Sequence, residues 1–343
     1  MSTESEVERY CRPTPIVKGE ECTSRIGRFQ FEAGGVLDDL VVGYVTHGEL
    51  NAQRDNAVLL LPGTTNSRHS ADGYIGPGNA FDPAKHFIIA FEAVGSGSSS
   101  KPSDGLGEAF PQYNIRDLVR AQAEVVAREF GLQRFAVAGA SMGAFQSLEW
   151  AIHFPQLVSR AVLLVPATQA GTVFRWVVET ARQIIQLDPA WREGATMAGL
   201  ASLSASLRLY FPWTVSDTYL ERVAPEDIAR EVSASFERSG VWNVWDYLKR
   251  YQASASHDVA QPFGGDLAAA LARVSAPTLV MPTSSDRLLS VSSARDIARH
   301  VRHAKLVVIE TDRGHLGWRA VDGARESREI AAAVQQFLRG DGA

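Results

Sequence analysis

Six short runs of mostly apolar residues constrain this chain more than any other feature: AVLLL (57–61), HFIIAFE (86–92), FAVAG (135–139), AVLLVP (161–166), PTLVMP (277–282) and KLVVIE (305–310). A strand with one wet face alternates polar and apolar residues, whereas a continuous apolar run suits a strand buried on both faces, as in a parallel sheet covered by helices. Helical spacing fills several of the gaps. Residues 115–131 keep apolar positions on one face and end on Gly131, and 142–153, 292–302 and 324–339 follow the same pattern. Alternation of this kind implies right-handed crossovers and an α/β architecture. Ahead of it, RFQFEA and LVVGYVTHG flank Gly34-Gly35 and read as a hairpin, with residues 1–25 as an irregular lead-in.

The rhythm breaks between about 167 and 270, where aromatic-rich helical segments (FRWVVETARQIIQ, ASLSASLRLYF, VWNVWDYLKRYQ) replace the buried-strand runs. The expected organisation is therefore a core from 1–166, an inserted α-helical cap from 167–270, and the rest of the core from 271–343. Hydrophobic residues at 45% suffice for a core of this size.

Charge and cysteine content narrow the function classes. Net charge is -5 with both signs scattered, which argues against a nucleic-acid surface or an anionic membrane partner. Cys11 and Cys22 are the only cysteines, and the polar N-terminus has no apolar core of a signal peptide, so a cytoplasmic protein with reduced thiols is expected. No run reaches the ~18 apolar residues of a membrane helix. The histidines are dispersed without metal-ligand spacing, and His300 and His303 fit a solvated helix end better than ligation. No metal and no organic cofactor is expected. The cluster GSGSSS (95–100) follows a strand but lacks the third glycine and helix start of a dinucleotide loop.

Chemistry enters at Gly139-Ala140-Ser141-Met142-Gly143, directly after FAVAG and directly before the amphipathic AFQSLEWAIHF. A serine displayed on a sharp strand-to-helix turn needs small residues two positions away on either side, where side chains would collide with the neighbouring strand and helix. The turn also aims amides at an oxygen that becomes negative. A hydroxyl needs a base to take its proton and a carboxylate to orient that base. On such a fold the order along the chain is serine, acid, histidine. Asp286 in SSDRLL, past PTLVMP, and His315 in DRGHLGW, past KLVVIE, fill that order at strand C-terminal ends. Asp312 is the rival acid, but it shares the loop of His315. His153 and His86 are read as structural. Two amides are expected to hold the oxyanion: Met142, following the nucleophile, and Thr64 in LLPGTTNS after AVLLL.

With these residues in place, the chain resembles the homoserine O-acetyltransferase family of the α/β-hydrolase superfamily and that family's esterase-like relatives. The resemblance is carried by GASMGAFQSLEWAIHFPQLVSRAV, close to the family's GGSMGGMQALEWA. It is also carried by GPGNAFDPAKHFII, IRDLVRAQ, ETARQIIQLDPAWREG, DYLKRYQ and SDRLLS, from about 56 to 318. It implies an α/β-hydrolase fold with Ser141, Asp286 and His315 as triad. It also places Arg182 on a cap arginine that contacts the homoserine carboxylate in the transferases. The alternative for Arg182 is a helix-surface pair with Glu179 or Asp188.

Three departures bear on function. The transferases follow the histidine with an aspartate that helps hold the homoserine amino group; here GHLGW puts Leu316 there, and an apolar side chain cannot serve as counter-ion. PGTTN replaces ALTG, and FEAVGSGSSSKPSDG resembles the GNGxSSSPS loop of the esterase-like relatives. The expected function is a serine ester hydrolase acting on a small-molecule ester through an acyl-enzyme on Ser141. The alternative is an O-acyltransferase using acyl-CoA and an alcohol acceptor. A non-catalytic binding protein on the same fold is the reading of another class, and an intact triad argues against it. Trp176, Trp213, Trp242 and Trp245 could line an apolar pocket, though cap core is the commoner role for such residues. A homodimer is implied by the resemblance alone.

Overall fold

The computed structural model describes residues 16–194, 200–237 and 242–340, the side chains of 234–237 excepted; Cys11 lies outside the described residues. The strands are β1 (Glu20–Gln30), β2 (Val36–His47), β3 (Ala57–Leu61), β4 (Phe87–Phe91), β5 (Phe135–Ala140), β6 (Val158–Leu164), β7 (Thr278–Met281) and β8 (Ala304–Leu306). They form one eight-stranded sheet in the order β1-β2-β4-β3-β5-β6-β7-β8. The hairpin β1–β2 and the β2–β4 pair are antiparallel, and every pair from β4 through β3 to β8 is parallel. The hairpin begins earlier than its sequence suggests. Glu20 to Arg25 pair with Thr46 to Val41, so part of the expected arm is strand. The last strand is shorter than KLVVIE: regular pairing ends at Leu306, after which Val307 N still donates to Val280 O and Ile309 bridges Thr283.

The apolar runs are apolar throughout because successive residues serve two cores. Ala57, Leu59 and Leu61 of β3, with Phe135 and Val137 of β5, enter the core on one face. Val58, Leu60, Ala136, Ala138 and Ala140 enter the core on the other. On the first face lie α1 (Ile115–Val125), α2 (Met142–His153) and, further along the chain, a helix at Val291–His300. The C-terminal helix Arg325–Arg339 covers the second face through Ile330, Val334 and Phe337. Asn114 caps α1 reciprocally with Asp117. The helix then widens into a turn over Val126–Phe130 that stops at Gly131, whose φ of 54° is the left-handed geometry glycine adopts freely.

Between β6 and β7 the described residues form helices and no strand: α3 (Thr172–Gln186), α4 (Ala201–Thr214), α5 (Asp217–Glu221), α6 (Ile228–Glu237), α7 (Val244–Ala255) and α8 (Leu267–Ala272). With the two helices already given, Val291–His300 is α9 and Arg325–Arg339 is α10. The helical segment has an apolar centre of its own, including Ile185, Trp191, Leu203, Trp242, Trp245 and Tyr251. Its two ends are stitched together. Ala170 N donates to His257 O at 2.9 Å, and Val259 N donates to Thr168 O at 2.9 Å. The chain thus leaves and re-enters the core at one point. No described helix is long and apolar enough to cross a membrane.

Candidate active site

The sheet order turns around β3: its successor β4 lies on one side and β5 on the other. Loops leaving the C-terminal ends of β3 and β5 therefore diverge and open a crevice, the usual place for a site in an open parallel sheet. Ser141 sits there, between β5 and α2, with φ 57° and ψ -122°. That is a costly backbone for a residue with a Cβ, of order 1–3 kcal/mol. It persists because its surroundings fix it: Ser141 N donates to Leu164 O at 3.0 Å, and Phe145 N donates to Ser141 O at 3.0 Å. The flanking glycines are sterically required. A Cβ on Gly139 would overlap the backbone of Gly143, and one on Gly143 would overlap Leu61 O.

His315 and Asp286 meet this serine from two other loops. His315 Nε2 lies 2.9 Å from Ser141 Oγ, and His315 Nδ1 lies 2.7 Å from Asp286 Oδ2. The carboxylate is held on its far side as well, since Asp286 Oδ1 accepts from Leu288 N at 2.8 Å and Leu289 N at 2.9 Å. With both Asp286 oxygens accepting, His315 Nδ1–H donates to Oδ2 and keeps its proton, which leaves Nε2 as the acceptor facing the Ser141 hydroxyl. The histidine loop is fastened to the β7 loop: Thr283 Oγ1 donates to Gly314 O at 2.9 Å, and Gly314 N donates to Ser285 Oγ at 3.1 Å. Gly314, at φ 62°, leaves no room for a side chain against Val215 of the helical segment.

The two sequence-derived amides flank the crevice. Met142 opens α2, where a first-turn N–H has no acceptor within its own helix. Thr64 follows β3 and is buried; its Oγ1 lies 3.0 Å from Ser254 Oγ of α7, and its N–H has no acceptor among the described residues. Gln146 ties the two walls together, its Nε2 donating to Pro62 O at 2.9 Å and to Met142 O at 3.3 Å. Such an arrangement can move a proton from a hydroxyl to an imidazole and offer two N–H groups to the oxygen of an attacked carbonyl.

Other expected residues fall elsewhere. Arg182 is not brought to Ser141. Its Nε donates to Glu179 Oε2 at 2.9 Å and its Nη1 to Gln186 Oε1 at 2.7 Å. It lines a groove with Arg175, Trp191, Trp245 and Tyr251 that includes none of Ser141, Asp286 and His315. The bond to Glu179 is the helix-surface pair expected as the alternative: one turn of α3 places Glu179 within reach of the guanidinium. Trp242 and Trp245 are core of the helical segment, and Trp176 is 73% exposed. Trp213 packs partly buried under the Arg287 guanidinium, 5.4 Å from its ring centre. Asp312 pairs with Arg222 at 2.5 Å rather than with the histidine. Leu316 packs into a small apolar cluster with Val215, Tyr219 and Phe211. Sequence reasoning missed Arg250, a fully buried arginine of α7 whose guanidinium enters the loop carrying Thr64. Its only signal was the DYLKRYQ resemblance, which points to no role.

Comparison with known proteins bears on the fold and the family. Residues 56–317 match the family described as the alpha/beta hydrolase fold. A protein of Corynebacterium glutamicum named as a probable esterase is 32% identical, covering 89% of this chain and 92% of its own. The homoserine O-acetyltransferase of Caulobacter vibrioides is 31% identical, covering 83% of this chain and 87% of its own. Among solved structures, an acetylester hydrolase from Corynebacterium glutamicum superposes with a TM-score of 0.83 at 29% identity, over 93% of this chain and 96% of that one. The chain belongs to the α/β-hydrolase fold family, in the group formed by the homoserine O-acetyltransferases and their esterase relatives. It is an enzyme of that superfamily.

Proposed function

We propose that the protein is a serine ester hydrolase acting on small acyl esters, acetyl esters first among them. The observation that carries this reading is the company kept by Leu316. Beside His315, where the transferases use a carboxylate to hold an ammonium, Leu316 packs against the apolar cluster of Val215 and Tyr219. An ammonium brought there would lose its hydration without a counter-ion, at a cost of several kcal/mol. Water carries no such charge. The similarity to an acetylester hydrolase over nearly the whole chain supports the same choice.

In this mechanism His315 Nε2 takes the Ser141 Oγ proton as Oγ bonds to the ester carbonyl carbon. The amides of Met142 and Thr64 receive the oxyanion. The carbon–oxygen bond to the alcohol breaks, and the alcohol leaves with the proton from His315. Water then attacks the acyl-serine, returning one proton through His315 and releasing the acid. Asp286 holds the imidazole in its tautomer throughout. The helical segment between β6 and β7 serves as the cap over this crevice. Every step uses only groups of this chain, the ester and water.

The test incubates the protein with p-nitrophenyl acetate and, separately, with acetyl-CoA plus homoserine, following the acyl group by mass spectrometry. Hydrolysis faster than transfer, with an acetyl adduct on the peptide containing Ser141, is the expected result. Ser141→Ala is expected to lose about 10³-fold or more in kcat. Transfer to homoserine faster than hydrolysis overturns the hydrolase reading, and unchanged turnover in Ser141→Ala overturns the catalytic serine itself.

A further inference from the structure

We propose that Arg250 is a positioning residue that aims and polarises the Thr64 N–H of the oxyanion site; the proposal rests on the acyl-enzyme reading above. Arg250 lies on α7, distant in sequence from β3, yet its side chain is fully buried against the β3 loop. Nη2 donates to Gly63 O at 2.9 Å and to Asn66 O at 2.8 Å, and Nη1 donates to Ser96 Oγ. The guanidinium is backed by the Trp242 ring, 5.9 Å from its centre.

What makes the contact chemically pointed is which carbonyl it takes. Gly63 C=O and Thr64 N–H belong to one planar trans peptide unit, so their bonds point in opposite directions. Holding Gly63 O against the guanidinium fixes the Thr64 N–H on the opposite side, where it has no acceptor among the described residues. Asn66 N also donates to Gly63 O, at 3.1 Å, closing the turn around the same oxygen. A cation at the carbonyl end draws electron density along the peptide and makes the N–H a stronger donor to a developing anion.

The grip is doubled on the same helix face. Ser254, one turn after Arg250, meets Thr64 Oγ1 at 3.0 Å. A third loop completes the frame: Ser96 Oγ donates to Glu92 Oε1 at 3.2 Å, and Glu92 is itself buried. An isolated buried cation is expensive, and an apolar side chain of similar volume would stabilise the fold as well or better. The arginine is explained by what it does to the peptide in front of it. Through it, the helical segment contributes to the site without touching the substrate.

The test measures kcat, KM and inhibition by a trifluoromethyl ketone analogue of the ester in Arg250→Lys. The ketone forms a tetrahedral oxyanion on the serine, so its affinity reads the oxyanion site directly. Arg250→Gln, which buries no charge and keeps an N–H donor, serves if the lysine variant does not fold. Folding is checked by circular dichroism, and Ser141 is checked by labelling with a fluorophosphonate. The expected result is a folded, labelled variant with kcat down about 10- to 100-fold, KM within about twofold, and ketone affinity reduced in parallel with kcat/KM. A folded variant with unchanged kcat, or a kcat loss with ketone affinity intact, overturns the role of Arg250. Neither outcome disturbs the triad, whereas absence of Ser141 labelling in the unsubstituted enzyme defeats the underlying reading.

Discussion

Two buried histidines, each beside a carboxylate, have been put to opposite uses. His315 is bonded through both ring nitrogens, to Asp286 at 2.7 Å and to Ser141 at 2.9 Å, with its side chain 6% exposed at the crevice. His257 is wholly enclosed where the helical segment re-enters the core. Its ring stacks on Phe145 at 4.2 Å, Nε2 meets Ala167 O at 3.1 Å, and Nδ1 stays 3.7 Å from Glu149 Oε1. Burial drives the His257 pKa down to about 3. The same desolvation raises that of Glu149, which also faces His153 at 3.0 Å and Arg116 at 3.9 Å. A carboxylate near an imidazole therefore does not make a proton-transfer site. What matters is the bond on each nitrogen and a reacting group at the far end.

The largest expected effects should split the two residues cleanly. His315→Ala should lower kcat by about 10³-fold or more while leaving the thermal midpoint within a few degrees. His257→Ala should do the reverse, costing about 2–4 kcal/mol of stability in denaturant unfolding, with kcat of the folded protein within a few-fold. Should His257→Ala instead abolish turnover in folded protein, the division drawn here fails. Next come the carboxylates. Asp286→Asn should reduce kcat by about 10³- to 10⁴-fold through loss of the imidazole tautomer. Glu149→Gln should leave kcat near its original value.

A subtler separation lies in pH. The unfolded chain binds a proton at His257 below about pH 6.5, and the folded chain does so only near pH 3. Between those values the unfolded state holds more protons, so this residue lowers stability as pH falls, by at most about 1.4 kcal/mol per pH unit. Glu149 works with the opposite sign, because its raised pKa lets the folded state take up a proton first as pH falls. Urea unfolding from pH 7 to 4 should show a shallower acid limb in His257→Gln and a steeper one in Glu149→Gln. The smallest effect is reserved for Arg182→Ala: with its guanidinium committed to Glu179 and Gln186, kcat and KM should stay within about twofold. A large rise in KM would return Arg182 to the substrate site.

Much of this was legible without coordinates wherever the determining contacts are short in sequence. Gly139 and Gly143 collide with neighbours only a few residues from Ser141 or on the adjoining strand, so five residues declare the elbow. The apolar runs declare buried strands because each residue must satisfy one core or the other. Chain order allowed both Asp286 and Asp312 ahead of His315, and it was Asp312's place in the histidine's own loop that set it aside. The DYLKRYQ and QIIQLDPAWREG stretches, by contrast, read equally well as site or scaffold. Arg182 and Arg250 both stand in family-like segments, and no residue pattern says that Arg250 is the one packed against the loop carrying Thr64.

Sequence by itself determined the sheet, the nucleophile turn and the order of the residues around it, since those follow from steric and burial rules acting along a short stretch of chain. Only the tertiary structure decided which arginine reaches the β3 loop, which histidine is dry, and what surrounds Leu316. Those outcomes depend on where α7 and the Val215–Tyr219 stretch settle against loops far away in sequence. Burial, and the hydrogen bonds that compensate it, are properties of that packing and not of the residue types.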